Sequence, residues 1–229
     1  MLSSILVTTL PVTLLADPLL ATGPKREIAS VPVPGPAGLR NVPLRSWKSF
    51  RDQSVEKQAH DFSCGASSIA TILKYYYGIT VSEDQVLQAI GKDKTRANFA
   101  SMQEAVHKLG FRALGLATNY DQLSRLKMPV IVYVRYRRDD HFSVVQGIGP
   151  NTVLLADSSL GNRSFSRAQF LKMWETRTGD HDGESLKGRV LAILPAAATH
   201  RPSSQFFVSN PERQTAITVV TMAQSRGLF

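Results

Sequence analysis

The chain has 229 residues, 43% of them hydrophobic and 20% charged, enough for one sizeable core and short of two comfortable domains. Its net charge of +9 would suit an acidic partner, but the densest basic cluster, Arg135, Arg137 and Arg138, runs directly into Asp139 and Asp140. No continuous basic stripe forms, which argues against a nucleic-acid surface, and the single cysteine, Cys64, excludes an intramolecular disulfide.

Residues 1–21 are apolar or small apart from Asp17 and read as a secretory signal peptide. Pro11 and Asp17 interrupt the run, which falls short of the ~20 apolar residues of a membrane span. No later stretch is long and apolar enough to cross a bilayer, so a periplasmic or exported protein is expected. Residues 22–43 hold five of the twelve prolines and read as an extended linker. A folded domain is expected over 44–195, followed by a C-terminal tail, 196–229, with a strand at Thr215 to Met222.

Within the domain, Ser63 is placed to cap a helix over 64–77 that puts Ile69, Ile72, Leu73 and Tyr76 on its core face and ends at Gly78. Capping boxes at Ser82-x-x-Gln85 and Ser101-x-x-Glu104 announce two more helices, the latter stopped by Gly110, and a short helix is expected at Asp121 to Leu126. The second half changes period. Runs at 129–135, 141–148, 152–156 and 189–194 read as strands of an antiparallel meander, with a helix opened by Ser166-x-x-Gln169 between the last two. Helices first and sheet second define an α+β fold, N-terminal helices packed on an antiparallel β-sheet.

The chemistry-bearing residues fall on the elements their tasks require. A cysteine attacks as thiolate, and a helix N-terminus and a neighbouring imidazole are the two usual means of lowering its pKa; Cys64 has the first by local sequence. Gln58, six residues earlier in the entering loop, is a side-chain donor for the oxyanion of acyl transfer. Of five histidines, His107 falls in an amphipathic helix and His181 and His200 in polar loops, whereas His141 opens a strand. Asp157 ends the next strand, where it can orient His141. Taken singly, a cysteine among small residues is ordinarily core, a strand-end histidine structural and an aspartate a turn former. Together and in this order they point to a papain-type site.

The blocks Gln58-Ala-His-Asp-Phe-Ser-Cys64-Gly-Ala, His141-Phe-Ser-Val-Val and Asp157-Ser-Ser-Leu-Gly161 resemble those of the bacteriocin-processing, double-glycine-leader peptidases, cysteine peptidase family thirty-nine. The resemblance covers about residues 45–195. It implies a papain-like fold, Cys64 as nucleophile, His141 as general base and acid, Asp157 as its orienter, Gln58 in the oxyanion hole, and no cofactor or metal. Ser63 and Ser158 stand where such peptidases often carry aspartate and proline. With a signal peptide and no membrane or nucleotide-binding domain, the chain resembles the stand-alone exported subgroup, accessory to surface-fibre and functional-amyloid secretion. The function so implied is a cysteine endopeptidase cutting after a small or double-glycine site in an exported peptide or secretion-system protein. The alternatives are a cell-wall hydrolase and a catalytically silent leader-binding or adaptor module.

Overall fold

The computed structural model describes residues 28–35, 38–91, 97–136, 139–177, 186–196, 200 and 202–212. The expected signal peptide, the expected strand at 215–222 and His181 lie outside them. The chain divides into two units, Met1–Ser46 and Trp47–Phe229. In the first, inside the stretch expected to be a linker, β1 (Ile28–Gly35) pairs antiparallel with β2 (Gly38–Arg45). The pairs Ser30–Pro43, Pro32–Asn41 and Pro34–Leu39 fall on alternate register positions, so all three prolines occupy one class of site. A two-stranded ribbon tolerates them because positions whose N–H would face outward lose no ladder bond.

The second unit begins with four helices: α1 (Trp47–Arg51), α2 (Cys64–Thr71), α3 (Glu83–Ile90) and α4 (Phe99–Lys108). Every residue of α2 is buried. It runs into a π-helical turn, Ile72–Tyr76, so the expected 64–77 helix changes pitch before Gly78 turns the chain with φ 71°. Ser63 does not cap α2 with its side chain; its hydroxyl instead donates to the His60 carbonyl at 2.7 Å. The Ser82–Gln85 box forms as expected on α3. On α4 the box lies one turn earlier, because Asn98 caps the helix and Ser101 is its reciprocal partner, which leaves Ser101–Glu104 inside the helix.

The sheet comprises β3 (Phe111–Thr118), β4 (Val130–Tyr136), β5 (Asp139–Ile148), β6 (Thr152–Asp157), β7 (Gly161–Ser166), β8 (Gly188–Pro195) and the short β9 (Val208–Ser209). Helices α5 (Tyr120–Arg125) and α6 (Arg167–Trp174) are both opened by capping boxes. The strand order is β3-β8-β4-β5-β6-β7. Strands β4, β5 and β6 pair in the expected order, the unexpected β7 continues the meander, and β8, expected to extend it from β6, instead returns between β3 and β4. Alternate residues enter different cores. Ile131, Leu191 and Ile193 pack with α2, α3 and α4, whereas Val130, Val132 and Val190 pack with Phe170 and Trp174 of α6. Because both faces are covered, β4 reads Val-Ile-Val-Tyr-Val, an unbroken apolar run without alternation.

Within the stretch expected as a tail, residues 202–212 pack on this unit. The Ser203 N–H donates to the Tyr76 carbonyl at 2.7 Å, Phe206 is buried against Tyr75 and Tyr76, and β9 pairs parallel with Gly147 and Ile148 of β5. A side chain at Gly147 would meet the Val208 carbonyl oxygen at 2.7 Å. This contact explains a glycine in mid-strand.

Candidate active site

Cys64 is the first residue of α2, in the turn whose backbone N–H groups lack intrahelical acceptors. Gly65 behind it is required by packing: a β-carbon there would stand 2.9 Å from Ala97 Cβ and 3.2 Å from the Met102 sulfur. The small residue lets α2 settle against α4 and brings the thiol to the sheet.

His141 is the third residue of β5 rather than its opening one, because Asp139 and Asp140 already pair with Tyr136 and Arg135. Asp157 closes β6 directly after Ala156, which pairs with Val144. Antiparallel pairing therefore brings the two side chains together, and His141 Nε2 lies 2.9 Å from Asp157 Oδ2. The other carboxylate oxygen accepts the backbone N–H groups of Ser159 at 2.9 Å and Leu160 at 2.8 Å. With Nε2 engaged, Nδ1 is the ring nitrogen left to serve the Cys64 thiol, whose ionisation the imidazole favours.

The shifts of the three groups favour the same ionisation state. Burial opposes ionisation of the thiol, but the hydrogen bond and charge of His141, helped by backbone N–H groups of Phe142 and Gly65, outweigh it and hold Cys64 below its ordinary value. Burial also opposes the imidazolium, yet the bonds to Asp157 and Cys64 and their charges push His141 up to about 10. Asp157 is held below the usual carboxylate range because its partners, His141 first and then the amides of Leu160 and Ser159, overcome its burial. Each shift favours a thiolate–imidazolium pair over the neutral one.

Gln58 sits in the loop before α2. The loop is tied down by Glu56, whose backbone N–H donates to Thr71 Oγ1 at 3.0 Å and whose carboxylate binds Lys74 at 2.6 Å and the Tyr75 hydroxyl at 2.9 Å. The Gln58 side-chain amide donates to the His60 carbonyl at 2.9 Å and accepts from the hydroxyls of Ser158 at 2.7 Å and Ser159 at 2.8 Å. The sequence singled out Ser158 only as a departure from proline and gave neither serine a role. Their only signal was position, immediately after Asp157.

His60 is exposed and stacks on Phe62, His107 is exposed on α4, and His200 stacks on Phe111. A cleft of ≈ 440 Å³ opens beside Cys64, walled by Phe62, Phe99, Tyr133 and Phe142, with Asp61, Asp140 and Arg189 also lining it. Among the described residues no three His, Cys, Asp or Glu side chains cluster as metal ligands, and no helix is long and apolar enough to cross a membrane.

A buried helix beginning with a cysteine, packed on an antiparallel sheet that presents a histidine and an aspartate, defines the papain-like class of folds. The family model described as the Peptidase C39 family matches residues 52–178, and the chain belongs to that family. It is 33% identical over 165 residues to the "Probable functional amyloid protease FapD" of Pseudomonas fluorescens, covering 68% of this chain and 73% of the relative. A protein of the same description from Pseudomonas aeruginosa is 32% identical over 149 residues, 62% of this chain and 66% of the relative. The peptidase domain of Streptococcus ComA, described as a bi-functional ABC transporter involved in quorum sensing, superposes with a TM-score of 0.51 at 22% identity, covering 62% of this chain and 97% of that domain. A double glycine motif protease from an AMS/PCAT transporter, solved with its leader peptide, gives the same score and identity over 62% of this chain and 90% of that one. These two likenesses establish the fold.

Proposed function

We propose that the protein is a cysteine endopeptidase that hydrolyses a peptide bond after a small or double-glycine site in an exported peptide or a secretion-system protein. The observation that carries this reading is the 2.9 Å bond of His141 to Asp157, with the same imidazole favouring the thiolate of Cys64 at the start of α2. The Cys64 thiolate attacks the scissile carbonyl carbon, and the developing oxyanion is received by the Gln58 amide and a backbone N–H at the start of α2. The His141 imidazolium then protonates the leaving amine, which departs and leaves a thioester on Cys64. Water, deprotonated by His141, attacks the thioester; the carboxylic product leaves and the thiolate–imidazolium pair is restored. Asp157 holds the ring in register throughout and stays ionised.

Similarity to proteins described as functional amyloid proteases supports a substrate among exported fibre-forming subunits or their export machinery, and a periplasmic or exported location. The test is labelling of the full chain with an epoxide-type papain inhibitor, comparing wild type with His141→Ala and, as a blank, Cys64→Ser. Rapid labelling at neutral pH, slowed by about 10² or more in His141→Ala, is expected. Labelling no faster than free cysteine and indifferent to His141 would leave a silent leader-binding module as the better reading.

A further inference from the structure

We propose that Ser158 and Ser159 are positioning residues for the oxyanion step: their hydroxyls fix the Gln58 side-chain amide so that its N–H edge, not its oxygen, is offered to the reacting carbonyl. The proposal rests on the peptidase reading above and adds to it residues outside the Cys-His-Asp-Gln set.

An amide in an open site can rotate by half a turn, exchanging donor for acceptor. The wrong orientation would set a carbonyl dipole against the oxyanion. Here the rotation is blocked from both ends. Gln58 Oε1 accepts two hydroxyls, from Ser158 at 2.7 Å and Ser159 at 2.8 Å, while Nε2 donates one of its two N–H bonds to the His60 carbonyl at 2.9 Å. Turning the amide over would face Oε1 with the His60 carbonyl oxygen. In the observed orientation the second N–H remains for the oxyanion.

The serines are themselves firmly held. Ser158 is 1% exposed, and its carbonyl accepts the Gln58 backbone N–H at 3.2 Å. The Ser159 carbonyl accepts Lys57 Nζ at 2.7 Å, and its N–H is on Asp157. The turn closes at Gly161, whose φ of 78° and close seat against Arg51 and Asp52 leave no room for a side chain. One short loop thus carries Asp157, which sets the imidazole, and the two hydroxyls that set the oxyanion amide. A proline at 158 would have no hydroxyl to offer.

The experiment uses two probes of the same sulfur. Acetyl-glycyl-glycinal adds reversibly: the Cys64 sulfur bonds to the aldehyde carbon, the carbonyl π pair moves to oxygen, and that oxygen takes the proton to give a hemithioacetal, with its oxygen in the oxyanion position. Iodoacetamide forms a sulfur–carbon bond as iodide leaves, and builds no oxyanion. Relative to wild type, Ser158→Ala/Ser159→Ala is expected to bind the aldehyde about tenfold more weakly, while its alkylation rate stays within about twofold. Adding Gln58→Ala should cost little more than Gln58→Ala alone, and Ser158→Thr/Ser159→Thr should recover aldehyde binding. Ser159→Ala alone, at an exposed position, gives a smaller loss of the same kind and guards against misfolding of the double variant. Unchanged aldehyde affinity, equal losses with both probes, or additivity with Gln58→Ala would overturn the proposal. A wild-type protein that neither binds the aldehyde nor alkylates faster than free cysteine would overturn the peptidase reading, and this inference with it.

Discussion

Cys64 is lowered and His141 raised, and these signs fix a pH window. Alkylation of Cys64 should rise as pH passes a value below that of an ordinary thiol, hold a plateau, and change again only as His141 loses its proton near about 10. In His141→Ala the largest lowering influence is gone and only the backbone N–H groups of Phe142 and Gly65 still oppose burial, so the rise should move to higher pH. A pH–rate profile with iodoacetamide reads both. Asp157→Asn keeps an acceptor for the ring but removes the charge, so the alkaline limb should move below about 10. The same shift carries a stability term. A raised histidine stabilises the fold fully below its unfolded value, roughly 6.5, and that contribution is lost as pH rises toward about 10. Urea unfolding of wild type and Asp157→Asn should accordingly differ more at pH 6 than above 10. The four candidate residues could be nominated from the sequence because the proposed chemistry restricts residue type and order. The two serines could not be, since hydroxyls after an aspartate are ordinary turn formers until Gln58 is folded onto them.

At the scale of elements, local signals succeeded where the partner groups are three residues apart. The boxes on α3 and α6 follow from Ser82–Gln85 and Ser166–Gln169, which satisfy each other without the rest of the chain. On α4 two overlapping patterns competed, and Asn98 prevailed, so Asn98→Ala should lower stability by about 1 kcal/mol in urea unfolding, with a smaller effect from Glu104→Ala. Gly65→Ala tests the contact of α2 with α4: with Ala97 Cβ only 2.9 Å from the added methyl, a loss of about 1–3 kcal/mol is expected, together with slower Cys64 alkylation as α2 is pushed from the sheet. Strand β3 escaped notice because Leu114 and Leu116 are half-exposed and spoil its alternation, and β7, Gly-Asn-Arg-Ser-Phe-Ser, because it has little apolar content. Edge strands carry a weaker pattern than central ones.

At the scale of the molecule, residues 202–212 are part of the fold. Phe206→Ala should lower unfolding stability by about 3 kcal/mol, since a nearly buried ring leaves its seat on Tyr75 and Tyr76, and a chain ending at Ala196 should lose at least as much. The sequence by itself determined the α+β class, the helices capped at Ser82 and Ser166 and the four central strands, and it nominated the Gln, Cys, His and Asp candidates, because periodicity, capping and side-chain chemistry act over a few residues. Only the tertiary structure decided that β8 enters between β3 and β4, that the C-terminal strand lies on β5, that Gly65 is a packing glycine, and that the loop after Asp157 grips Gln58. Each of these joins groups far apart in the chain, and such contacts are set by which surfaces bury one another rather than by local spacing.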